Sequence, residues 1–296
     1  MPTAGRTIGV LYPGEMGTAV ARRLQAAGGR VLTLLDGRGA QTRSNACNSG
    51  ISAAADPADF MAQCDLLLSL VPQDAAEPVA RFAASHARTR ETLPIYVDCN
   101  SLSPGKKKEI GTLWEKSGGF FADGVFIGGA AMLDTKTRLV LSGPAAGAAA
   151  GVLSPALALE VLDGETGDAA ALKMCFAEFN KGLVALFIEI AAVSFKSGSH
   201  AALCRCLRDF YPETYDTVER LLASYPRHCG RRLLEMGEIA AFIESLGQTP
   251  LMARAAETLL RVLDEALRTA PDGGAGPNAD PKVVLAAILK KGNFLQ

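Results

Sequence analysis

Residues 8–17 read Ile8-Gly9-Val10-Leu11-Tyr12-Pro13-Gly14-Glu15-Met16-Gly17. An apolar run meets a Pro-Gly turn, and small and apolar residues then recur at helical spacing. That order predicts a strand, a tight turn and a helix. Gly14 and Gly17 take the second and third places of a G-x-G-x-x-G pattern, and Tyr12 takes the first. Such a turn leaves backbone N–H groups and the positive end of a helix dipole facing outward, where a pyrophosphate can sit. Gly14 would let backbone approach the phosphates, and Gly17 would let the helix lie close to the strand. Tyr12 has to make the turn with φ below zero. Its ring either covers part of the site or packs beneath it.

Working outward, Met16, Val20 and Leu24 continue the helix to Gly28-Gly29, and residues 30–36 read as a second buried strand. Asp36 ends it roughly 20 residues after the glycine turn, where an acid would bond an adenosine ribose. Arg38, Thr42, Arg43 and Ser44 follow at once. Two guanidiniums and neighbouring hydroxyls favour a 2′-phosphate instead, hence NADP over NAD, with NAD still possible. A solvated loop is the alternative.

Further strands are expected at 50–54, 65–71, 95–98, 119–123, 139–143 and 159–162, alternating with helices that open at Asp56-Pro57, Gln73, Pro104 and Pro144. Alternation of this kind implies a parallel sheet covered on both faces. Ligands then bind beyond the carboxyl ends of the strands. The turns at 12–17, 36–44, 69–74, 98–104 and 123–129 would converge there. Val71-Pro72 either walls a ribose or simply ends a strand. Asn100 and Ser101 either hold ribose or substrate, or cap the next helix, for which Ser103 is the better N-cap. Asp123 is expected to fix its loop rather than react.

The character changes near Gly164. One long helical pattern covers 168–197, with Leu172, Phe176, Leu183, Phe187 and Ile190 as candidates for its buried face. Helices follow at 200–210, 214–224, 227–246 and 250–268. A Gly/Pro-rich linker is expected at 271–281 and a short apolar helix over Val283–Lys290. The expected organisation is α/β: a Rossmann-type doubly wound domain over 1–163 and an all-helical domain over 164–296.

Composition narrows the classes. Of 296 residues, 49% are hydrophobic and 21% charged, which suits a globular chain. A net charge of −1 gives no basic field for nucleic acid or anionic membrane. Lys106, Lys107 and Lys108 are expected to form a solvated helix start. No stretch reaches the ~18 apolar residues of a membrane span. The N-terminus shows no signal region, and a cytoplasmic location is expected. Seven scattered cysteines and three histidines support neither a zinc site nor a disulfide framework, so the thiols are expected to be small buried hydrophobes. His200 and His228 are expected to cap or face solvent. Met236 is expected in the core. Arg231, Arg232, Glu235 and Glu238 are expected to form a salt-bridged face.

The order of these motifs resembles the 3-hydroxyacid dehydrogenase superfamily, which includes 3-hydroxyisobutyrate and 6-phosphogluconate dehydrogenases, and most of all its 6-phosphogluconate dehydrogenase-like branch. Ile8–Gly17 is similar to that family's cofactor turn and Val97–Pro104 to its loop near the nicotinamide. Asp123–Gly129 is similar to its Asp-x-x-x-Ser-Gly-Gly substrate loop, and Gly167–Lys173 to its Gly-x-x-x-x-x-Lys catalytic segment. The resemblance implies a nicotinamide coenzyme on Tyr12, Pro13, Gly14, Glu15, Met16, Asp36, Arg38, Thr42, Arg43, Val71, Pro72 and Asn100. It implies a small-molecule substrate on Ser101, Gly128, Gly129 and Asp123, Lys173 as general acid/base, and a homodimer through the C-terminal helices. Two positions depart from the pattern: Ile127 replaces the family serine, and Ala177 the usual asparagine. Asn180 shares the face of Lys173 but lies about two turns, ~10 Å, along the helix. Imine reduction, or coenzyme binding without catalysis, are therefore alternatives to hydroxyl–carbonyl interconversion.

Overall fold

The computed structural model describes residues 3–87, 92–154 and 156–268. The expected linker at 271–281 and helix at 283–290 lie outside these. The chain divides into two compact units between Lys173 and Met174, further along than the change of character at Gly164.

In the first unit, β1 (Thr7–Leu11), α1 (Glu15–Ala26), β2 (Arg30–Thr33), α2 (Ala40–Asn48), β3 (Ser52–Ala53), α3 (Pro57–Gln63), β4 (Leu66–Ser69), α4 (Gln73–His86), β5 (Ile95–Asp98) and α5 (Pro104–Glu115) alternate without exception. Then come β6 (Phe121–Ile127), a 3-10 turn (Ala130–Met132), β7 (Arg138–Ser142), α6 (Ala146–Leu153) and β8 (Leu159–Val161). The eight strands form one sheet in the order β3-β2-β1-β4-β5-β6-β7-β8. All neighbours are parallel except β6 and β7, which pair antiparallel from Asp123↔Ser142 to Ile127↔Arg138.

Strand residues alternate between two cores because successive side chains point to opposite faces. Ile8, Val10, Leu66 and Leu68 pack with α1 (Val20, Leu24) and α6 (Ala149, Leu153). Leu11, Leu67, Tyr96 and Phe121 pack with α3 (Phe60), α4 (Val79, Ala83) and α5 (Ile110, Trp114). Burial on both faces explains why these strands read as unbroken apolar runs.

Three expectations need correction here. The segment 123–127 is not a turn; β6 runs through it to Ile127, so the loop begins at Gly128. Lys107 is not solvated but fully buried. Cys47, Cys175 and Cys206 are exposed, while Cys64, Cys99 and Cys229 are buried; none of the seven forms a disulfide.

The second unit is helical: the body of α7 (Asp168–Lys196) with α8 (His200–Phe210), α9 (Pro212–Leu222), α10 (Tyr225–Ser245) and α11 (Leu251–Arg268). On α11, Ala253, Ala256, Leu260, Leu263 and Leu267 recur at alternating steps of three and four, and that stripe is buried. Met236 is fully buried, as expected. Arg231 pairs with Glu235, which also holds Lys181 at 3.0 Å, whereas Arg232 stacks 4.0 Å above Tyr225. The buried face of α7 is Val184, Phe187, Ile188 and Ala191. Phe176, expected inside, is exposed. His200 does not point to solvent; it turns toward α7 and contacts Ser194.

Candidate active site

The carboxyl end of β1 runs into Tyr12-Pro13-Gly14, and α1 starts at Glu15. The Gly14 N–H donates to Tyr12 O at 2.8 Å, and the first helical bond runs from Thr18 N–H to Gly14 O. The amides of Glu15, Met16 and Gly17 therefore precede the helical ladder, as the first N–H groups of any helix do. A Cβ on Gly14 would meet nothing within 4 Å, so the turn faces open space. A Cβ on Gly17 would sit 2.7 Å from Tyr12 O, so glycine is what lets α1 lie against the strand end. No non-glycine residue among those described has positive φ, and Tyr12 makes the turn without it. Its ring is half-buried and lies under the Arg38 guanidinium, 4.4 Å from the ring centroid. Burial raises the phenol's pKa, and Arg38 only partly opposes this.

Asp36, Arg38 and Arg43 are all exposed beyond β2, and Thr42 is half-buried on α2. Arg43 Nε donates to Arg38 O at 3.0 Å, which folds this segment back on itself. Asn45, unnoticed in the sequence, donates from Nδ2 to Pro13 O at 2.9 Å and so ties α2 to the glycine turn.

Asn100 is almost fully buried and its amide is committed to protein. Its Oδ1 accepts from Val71 N–H at 2.6 Å, and Nδ2 donates to Ser69 Oγ at 3.0 Å and Asp98 Oδ2 at 3.1 Å. The residue thus clips the end of β4 to the end of β5 and holds Val71-Pro72 in place. Beside it Ser101 is exposed. Ser103 is the N-cap of α5, accepting from Lys106 N–H at 3.3 Å.

The feature that sequence reading missed is under this edge. Asp98 and Asp123 face one another in register on β5 and β6, both fully buried. Lys107 Nζ sits between them, 2.7 Å from Asp98 Oδ1 and 3.1 Å from Asp123 Oδ1, and donates also to Asp98 O and Gly124 O. Burial disfavours the ammonium, but the two carboxylates more than offset that and raise its pKa above the usual lysine value. The signal was present in the sequence: an aspartate on each of two apolar, buried strands requires a cation.

The other oxygen of Asp123 starts α7. Asp123 Oδ2 accepts from Gly167 N–H at 3.1 Å and Ala170 N–H at 2.9 Å, and from Ser142 Oγ at 3.3 Å. Ser142 Oγ in turn accepts from Ala169 N–H at 3.0 Å. A carboxylate on the first amides of a helix satisfies orphan donors and complements the dipole. Six residues after Gly167, Lys173 Nζ donates to Phe126 O at 3.1 Å, near the carboxyl end of β6. The buried Cys99 thiol is pushed up to about 12 by burial, with Lys107 and Lys173 pulling the other way.

Past β6, Gly128 has φ of +121°, and a Cβ there would lie 2.9 Å from Thr137 Cα. Gly129 faces open space, with its carbonyl accepting from Thr137 Oγ1 at 2.8 Å. Asn180 donates within its own helix to Phe176 O. The ends of β1, β4, β5 and β6 therefore bring Tyr12–Met16, Val71-Pro72, Asn100-Ser101 and the anchored Lys173 to one edge of the sheet.

A glycine turn opening onto unfilled space at the carboxyl edge of a doubly wound sheet, followed by a helix N-terminus, is the construction of a dinucleotide-binding oxidoreductase. The family model for the NAD binding domain of 6-phosphogluconate dehydrogenase matches residues 7–157, and a Domain of unknown function (DUF1932) matches 196–263. The chain belongs to this family, within the 3-hydroxyacid dehydrogenase superfamily. An uncharacterized 28.5 kDa protein from the 7S RNA 5′ region of Methanothermus fervidus is 26% identical over 79% of this chain and 90% of its own. The solved structure of MTH1747, a conserved protein of unknown function described as similar to 3-hydroxyacid dehydrogenases, is 27% identical with a TM-score of 0.69, covering 86% of this chain and 96% of that one. Mycobacterium tuberculosis 3-hydroxyisobutyrate dehydrogenase, solved with L-serine, shares the fold at 16% identity and a TM-score of 0.72, covering 96% and 99%. The coenzyme is a nicotinamide dinucleotide. Among the described residues no helix is long and apolar enough to cross a membrane.

Proposed function

We propose that the chain is an NADP-preferring oxidoreductase that interconverts a hydroxyl and a carbonyl on a small anionic metabolite, with Lys173 as general acid in reduction and general base in oxidation. The observation that carries this reading is the anchoring of Lys173 Nζ on Phe126 O, on a helix whose first turn is fixed by Asp123. Bound at the glycine turn, the coenzyme supplies or accepts the hydride. Tyr12 to Met16 would hold its pyrophosphate, and Val71-Pro72, set by Asn100, would wall its ribose. Ser101 and the Gly128-Gly129 backbone would orient the substrate, and Lys173 would pass the proton to or from its oxygen. The test is a panel of hydroxyacids and cyclic imines read by NADPH absorbance. Turnover of hydroxyacids supports the reading. Turnover confined to imines moves the substrate class, consistent with Ile127 lacking the family hydroxyl. Coenzyme binding with no turnover on either class removes the catalytic assignment.

The NADP preference rests on Arg38 and Arg43 standing against the single carboxylate of Asp36. Arg38→Ala should weaken NADPH binding about tenfold, the value of ~1.4 kcal/mol for one lost charge-assisted contact, and leave NADH nearly unchanged. A calorimetric titration decides, and tighter NADH binding by the unaltered chain overturns the preference.

A homodimer is supported by α7. Phe179, Leu186 and Val193 lie seven residues apart along one side and are 66%, 52% and 57% exposed. Apolar stripes of this length call for cover. Light scattering should give twice the chain mass, and Leu186→Glu should shift it toward monomer. A monomer for the unaltered chain contradicts the assignment.

A further inference from the structure

The helical unit carries a second constellation with nucleophilic character, separate from the residues of the sheet edge. A cavity of about 420 Å³ lies among α7, α8 and α9. His200 and Cys204, one turn apart on α8, both line it, with Sγ 3.5 Å from His200 Nε2. The other ring nitrogen, Nδ1, is 3.0 Å from Ser194 Oγ on α7. That hydroxyl already donates to Ala191 O at 2.8 Å. A hydroxyl has one proton, so Oγ is the acceptor and Nδ1 carries the hydrogen. Nε2 is then left with its lone pair toward the thiol. The ring is further fixed by stacking on Phe195, with centroids 3.8 Å apart. Burial lowers the imidazole's pKa, which favours the neutral form able to take a proton.

We propose that Cys204 is a nucleophilic thiol activated by His200, and that the cavity takes a small, planar, conjugated carbonyl compound which adds covalently to it. A base whose tautomer is set by a third group, beside a thiol, is the general arrangement of an activated nucleophile. The walls are Phe187, Phe195 and Tyr215, which suit a flat apolar skeleton. The charged groups at the cavity are Arg205 and Arg208 from α8 and Glu219 from α9. Glu219 is paired with Arg208 at 3.1 Å, so one positive charge remains in excess at the cavity. The step balances without any oxidant. Cys204 gives its proton to His200 Nε2 as sulfur bonds the β-carbon. The C=C π pair moves toward the carbonyl as an enolate, and the proton from His200 is returned to the α-carbon. The product is a thioether, with no net oxidation.

The experiment is timed alkylation of the full-length chain with 4-phenyl-3-buten-2-one, read by intact mass and peptide mapping, in the absence of coenzyme. Cys206, exposed two residues further along, is the internal standard. Cys204 should label about tenfold or more faster than Cys206 or Cys47. His200→Gln should slow Cys204 by about the same factor and leave Cys206 unchanged. Ser194→Ala, which frees the tautomer but keeps the ring, should slow it less. The ratio in the unaltered chain is decisive even if His200→Gln fails to fold. Labelling of Cys204 at or below the rate of Cys206, or a rate indifferent to a folded His200→Gln, overturns the proposal.

Discussion

Lys107→Met should be the most destabilising single substitution in the coenzyme-binding unit, costing about 3–5 kcal/mol. The side chain is fully buried, and its ammonium bridges two fully buried carboxylates at 2.7 and 3.1 Å. Methionine conserves the stem, so lost packing is not the cause. The cost comes from leaving Asp98 and Asp123 buried, adjacent and without a counter-ion. Urea unfolding followed by circular dichroism measures it; a loss under about 1 kcal/mol would mean water or another group replaces the ammonium. The pH dependence has a definite sign. The pKa of Lys107 is raised in the folded state, so its contribution is complete below the unfolded value of about 10.4 and declines as pH rises through the folded one. The stability difference between the two chains should therefore be flat on the alkaline side from pH 7 to about pH 10. A consequence for function follows. Asp123 also holds the first turn of α7, so loosening it should disturb the placement of Lys173 at temperatures where the chain is still folded.

This cluster also explains which features were readable from sequence. The α/β alternation was plain because each central strand is apolar on both faces, and turns at Gly, Pro and Asp separate them. The end of β6 was misplaced because Asp123-Gly124 looks like a strand terminus. An aspartate continues a buried strand only if a cation meets it, and that cation was hidden in a run of three lysines. Consecutive residues on a helix turn by about 100°, so such a run cannot share one environment. Lys106 reaches Glu77 and Glu109, Lys108 approaches Glu165, and Lys107 alone faces the sheet. The face of α7 was misjudged at Phe176 for a related reason. Its apolar residues exceed what one face can bury, and periodicity alone does not say which of two apolar stripes is inside. Contacts that hold the proposed site together, such as Asn100 on Val71 N–H or Asn45 on Pro13 O, join residues distant in sequence. No local pattern announces them.

Lys173→Ala should lower turnover by about 10²–10⁴, the range for loss of a positioned general acid or base, while leaving coenzyme affinity within about twofold. The separation is expected because Lys173 belongs to the end of β6 and the start of α7, whereas the glycine turn lies at the end of β1. Lys173→Arg should not rescue. A guanidinium keeps a positive charge but does not give up its proton near neutral pH, and its planar fork does not reproduce an ammonium point donor. Stability provides the control. Lys173 is half-buried, and its hydrogen bond to Phe126 O is worth about 1 kcal/mol net, so melting should move by only a few degrees. The two lysines then separate cleanly: one substitution removes stability and the other removes turnover. Steady-state rates on whichever substrate the panel identifies, with coenzyme titration in parallel, provide the measurement. Unchanged turnover in Lys173→Ala would take the proton role away from this residue.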